Sequence, residues 1–104
     1  MNLSFSSAKD NNQTFSVDKH FIHSPYSPVK EAERFVSLLP SDVEYDVIII
    51  IEPGLSYTKQ FLKQKYPDAR IGIIRLISEL SSYNSDWDFV ISFENPENLQ
   101  NQLL

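Results

Sequence analysis

A chain of 104 residues is the length of one domain and is long enough for a single hydrophobic core. Fourteen acidic residues against nine Lys and Arg give a net charge of −5, and with no basic run this argues against nucleic acid or an anionic membrane surface as partner. The absence of cysteine excludes disulfides, iron–sulfur clusters and thiolate zinc sites, and the longest wholly apolar run, five residues, is far short of a membrane span.

The opening Met1-Asn2-Leu3-Ser4 lacks the charged and apolar regions of a signal peptide, so a cytoplasmic location is expected. Residues 1–22 are polar and lightly alternating. Leu3 and Phe5, then Phe15 and Val17, flank Asp10-Asn11-Asn12, which reads as two short strands around a turn, with Phe21 and Ile22 extending the second. This part is expected to be an N-terminal hairpin or arm, set before an α/β domain over residues 23–104.

Ser27 before Pro28 is a helix start, because serine caps free amides and proline costs nothing at the first helical position. Val29, Ala32, Phe35, Val36 and Leu39 fall on one face until Pro40 ends the helix. Upstream, Pro25 and Pro28 stiffen the connection that carries His23, Ser24 and Tyr26.

Val47-Ile48-Ile49-Ile50-Ile51 is apolar on both faces and ends in Pro53-Gly54, as does a central parallel strand that feeds a crossover helix. Tyr57, Phe61, Leu62 and Tyr66 share a face of that helix, and Pro67-Asp68 ends it. Residues 70–77 supply a second strand, 78–85 a polar connection with room for a short helix, and 87–93 a third strand. The expected fold is a three-layer, Rossmann-like α/β domain with a small, mostly parallel sheet. Right-handed crossovers would set its core strands in the order second, first, third, with the switch point between Ile51 and Phe93. Asn95-Pro96-Glu97 then opens a further helix with Leu99, Leu103 and Leu104 on one face. It has no closing cap, as expected of a piece of a longer protein.

The loop from Glu52 to Tyr57 follows the first of these strands and is where open α/β sheets bind ligands. Only Gly54 matches a glycine-rich phosphate turn, and Glu52 would repel a phosphate, so a plain strand-to-helix turn competes with the binding reading. An acid for a ribose would fall at Glu79, which could equally cap the next turn. His20 and His23 would splay apart on an extended segment, so no metal site is expected, and Asp86 and Asp88 read as surface acids flanking a packed Trp87. No catalytic set is evident from the spacing.

His23-Ser24-x-Tyr26-x-Pro28-x-Lys30-Glu31-Ala32-Glu33-Arg34-Phe35, followed by a strand and a glycine-bearing turn, resembles a stretch near the start of bacterial motility-associated-factor proteins. Archaeal hydroxymethylpterin pyrophosphokinase-like proteins share the likeness. It is specific over residues 22–36 and looser over 46–57. The resemblance implies an N-terminal part of a larger glycosyltransferase that passes a sugar from a nucleotide-activated donor to flagellin. This part would need no cofactor of its own, and its partners would be the remaining domains of the parent and flagellin. By the same resemblance Gly54, Ser56 and Tyr57 match the family's glycine-loop positions, and His23, Ser24, Tyr26, Lys30, Glu31 and Arg34 form an interaction surface. The alternatives are a small nucleotide- or phosphate-binding module and part of a pterin pyrophosphokinase-like enzyme.

Overall fold

A computed structural model describes residues 2–85 and 87–92. The antiparallel sheet comprises β1 (Leu3–Ser7), β2 (Gln13–Val17) and β3 (His20–Phe21), with Phe5 paired to Phe15 and Val17 to His20. Asp18 and Lys19 take positive φ of 49° and 71°, the two-residue turn that reverses a hairpin. His20 and Phe21 therefore turn back as a third strand instead of extending the second.

Helix α1 (Pro28–Ser37) starts as its sequence dictates: the Ser27 hydroxyl accepts from the Lys30 amide at 3.3 Å and Pro28 occupies the first turn. Ala32 and Val36 are buried, whereas Phe35 stays half exposed, outside the core face assigned to it. Strand β4 (Val47–Ile51), helix α2 (Thr58–Lys65), strand β5 (Arg70–Arg75), a 3-10 helix (Ser78–Tyr83) and strand β6 (Phe89–Ser92) complete the elements. The helix read over residues 95–104, with Phe93 and Asp86, lies outside the described residues.

The second sheet is parallel in the order β4-β5-β6, so the first strand is an edge and β5 is central. This corrects the expected order. The handedness rule fixes how each crossover turns but not the side on which the next strand is added, and both additions here step the same way. Ile48 and Ile50 face the helical layer, where Val36, Leu62, Tyr66, Ile71, Ile73 and Trp87 form the main core. Val47, Ile49 and Ile51 point the other way and are 48%, 48% and 67% exposed. On that side Phe89 lies over Gly72, whose absent side chain leaves room for the ring, and the Arg70 guanidinium sits 5.3 Å from the ring centre. The described residues thus form a parallel sheet with helices on one face, beside an antiparallel sheet.

A second core joins the two sheets. Phe15 from β2 is fully buried with Leu55, Ile77 and Leu80, which follow the carboxyl ends of β4 and β5. The antiparallel sheet therefore sits over the loops in which an open α/β sheet would receive a ligand.

Candidate functional site

The loop after β4 is shaped by positive φ at Glu52 (46°), Gly54 (60°) and Ser56 (69°). For a non-glycine residue this conformation is uncommon and must be held by its surroundings. Glu52 supplies the hold. Its Oε2 accepts from the Gly54 amide at 2.9 Å and from Arg75 Nη1 at 2.7 Å, and its Oε1 accepts from the amides of Leu76 and Ile77 at 3.0 and 2.7 Å. Arg75 is almost fully buried and also donates to the Gly54 carbonyl and to Asn84 Oδ1. One ion pair thereby locks the loops after β4 and β5 to each other.

His23 fills the open side of Gly54. A methyl group at Gly54 would lie 2.4 Å from His23 Nε2, and Nε2 accepts from the Leu55 amide at 2.9 Å. The ring is edge-on to Phe15 and Tyr57, with centres 5.4 and 5.3 Å away. Burial holds its pKa below the usual 6.5, against the opposing pull of the Glu52 charge, so the neutral ring is the native form. The Ser56 amide bonds to the Pro53 carbonyl. The amides of residues 54, 55 and 56, which would cradle a phosphate, thus all have acceptors within the chain.

The other two loop positions are also engaged. Ser56 Oγ accepts from Trp87 Nε1 at 2.9 Å and donates to the Tyr83 carbonyl at 3.2 Å. The Tyr57 hydroxyl donates to the Gln13 carbonyl on β2, and burial followed by the charges of Tyr83 and Asp10 raises its pKa. The structure brings Gly54, Ser56 and Tyr57 together with His23, but as parts of one internally bonded turn.

The six residues of the expected interaction surface divide into two groups. His23, Ser24 and Glu31 are bonded within the chain, Glu31 from a half-exposed position: Ser24 Oγ accepts from the amides of Tyr26 and Ser27, and Glu31 accepts from the Ser24 amide, 3.9 Å from His23 Nδ1. Tyr26, Lys30 and Arg34 turn outward and are exposed. Pro25 and Tyr26 give their carbonyls to the amides of Lys9 and Asp10, which ties the stiff connection to the hairpin.

His20 lies exposed on β3, apart from the enclosed setting of His23, and the described residues hold no group of three His, Cys, Asp or Glu able to take a metal ion. Glu79 is exposed on the 3-10 helix. Asp88 is a latch: it accepts from the Ile71 amide and from Lys63, and those bonds, the amide first, hold its pKa low. Reasoning from sequence missed the Glu52–Arg75 pair. The available signal was Arg75, which closes a mostly apolar strand that opens with the exposed Arg70, and which needs a carboxylate partner if it is buried. Neither the protein-family models, nor the curated proteins, nor the solved structures contain a match to this chain.

Proposed function

We propose that the chain is an accessory docking domain, completed by further polypeptide, within a motility-associated-factor-like glycosyltransferase. The likeness of residues 23–35 supplies the parent. The observation that carries the docking role is a sheet face that no other described residue covers: among the described residues Val47, Ile49 and Ile51 stand exposed on an edge strand, next to the partly exposed Ile74, Phe89 and Ile91. Edge strands that meet water are normally blunted by charge, proline or a bulge, and five consecutive β-branched residues do none of this. The order β4-β5-β6 corresponds to the first half of a doubly wound Rossmann sheet. In such a sheet a second half pairs with the free edge of the first strand and lays its helices on the open face.

In this reading the turn at residues 52–57 is structural, and the chemistry belongs to the parent. The donor sugar would be held outside this chain, because the antiparallel sheet, His23 and Glu52 already fill the crevice. The docking role is tested by binding of the apolar dye ANS to the wild-type chain and to Ile49→Lys/Ile51→Lys, with folding followed by the fluorescence of buried Trp87. Dye binding by the wild type that falls in a folded variant is the expected result. Equal binding by both, or none by the wild type, would overturn the role assigned to this face.

A further inference from the structure

A second surface lies on α1, in the helical layer on the other side of the parallel sheet. Between the connection at residues 24–27 and the outer face of α1 runs an open groove of about 510 Å³, lined by Tyr26, Lys30, Arg34, Phe35 and Leu38, among others. Tyr26, Phe35 and Leu38 are 62%, 49% and 77% exposed. Lys30 and Arg34 are four residues apart, so they share one side of the helix. Lys9, with its Nζ 4.9 Å from the Tyr26 ring centre, stands at the groove's edge.

The charge of this patch is opposite to that of the whole chain. Two acids belong to the patch, Asp10 at its edge and the half-exposed Glu31 in the groove lining; both hydrogen-bond within the chain but keep their charges, so with Lys9, Lys30 and Arg34 the patch carries one net positive charge. Asp10 accepts from the Asn12 amide and the Ser27 hydroxyl, the hydroxyl being the larger cause of its lowered pKa, and Glu31 accepts from the Ser24 amide. Among the described residues neither Lys30 nor Arg34 makes an ion pair. Two unpaired cations beside three exposed apolar side chains, on a protein of net charge −5, form a site for a ligand that is both acidic and apolar.

We propose that this groove binds an acidic protein segment that carries one bulky apolar anchor residue. The anchor lies against Tyr26, Phe35 and Leu38, and its carboxylates face Lys30 and Arg34. Helix α1 has ten residues, about 15 Å of axis, so the occupant is a short linear segment and not a broad globular face. The proposal rests on charged residues that the docking role assigned to the sheet does not use, and the two surfaces meet at Phe35, which also lines a pocket of about 290 Å³ with Val47 and Ile49.

The test is an amide-resolved NMR titration of the full chain with a short synthetic peptide of glutamates around a Leu-Phe pair. The same peptide with lysine in place of glutamate is the control. Saturable shifts at residues 24–38 that weaken as salt is raised are expected with the acidic peptide only. Lys30→Glu/Arg34→Glu, its fold verified by an unchanged pattern of shifts elsewhere, should weaken acidic-peptide binding at least about tenfold and gain affinity for the lysine peptide. Three results would each overturn the proposal: no saturable shift at millimolar peptide, equal binding by the charge-reversed variant, or shifts confined to residues 47–51. The last would leave the sheet-docking role standing.

Discussion

Replacing Glu52 with alanine tests whether one ion pair holds the loops together. The substitution removes the acceptor used by three backbone amides and by Arg75 Nη1, and it leaves a guanidinium that is 1% exposed without its counter-charge. Truncating one partner of a buried pair costs about 3–5 kcal/mol, a large part of the roughly 5–15 kcal/mol that holds a domain folded. Arg75→Ala should cost a similar amount. The double variant should cost at least about 1 kcal/mol less than the two single costs together, because the second substitution removes a charge that the first has already stranded. Urea unfolding followed by the fluorescence of Trp87, the single tryptophan and 6% exposed, measures all three. Additive single costs, or a loss below about 1 kcal/mol for Glu52→Ala, would refute the pair as the organiser of the site.

Three further outcomes follow from the same contacts. The unfolded chain takes up a proton on His23 near 6.5 while the native chain resists it. Stability should therefore be complete above that pH and fall on acidification by up to about 1.4 kcal/mol per unit. Urea midpoints between pH 7.5 and 5 should show this slope, and His23→Gln should flatten it. Gly54→Ala forces a side chain into a positive φ and against His23, so it should lower stability by more than about 1 kcal/mol in thermal unfolding, and trimming the ring with His23→Ala should reduce the penalty. Ser27→Ala removes the cap of α1 and the hydroxyl bonded to Asp10, and should cost about 1 kcal/mol, read as a lower melting temperature with the fold intact.

Elements governed by local chemistry were legible in the sequence. Ser27-Pro28 places the start of α1 at the correct residue, and the first hairpin turn falls where Asp10-Asn11-Asn12 was read. Long-range choices were not legible. Val47–Ile51 carries apolar residues on both faces, and that pattern suits a strand buried in the middle of a sheet as well as an edge strand awaiting cover. Only the pairing with β5 reveals which it is. The loop could be located but its occupant could not. Gly54 reads equally as room for a phosphate or room for a side chain, and the room is taken by His23, 31 residues earlier in the chain. Glu52 looked like an obstacle to an anion because its partner, Arg75, lies on a different strand.

The most direct test of the account is an amide-resolved NMR titration of this chain with CMP and with a CMP-activated nonulosonic acid, a donor of the kind the resemblance to motility-associated-factor proteins implies, because the account makes the turn after β4 structural. Unperturbed amides at residues 52–57 at millimolar ligand are the predicted result, with His23 and Glu52 retaining their internal bonds. Saturable shifts clustered at those residues would contradict it and would make the turn a nucleotide site.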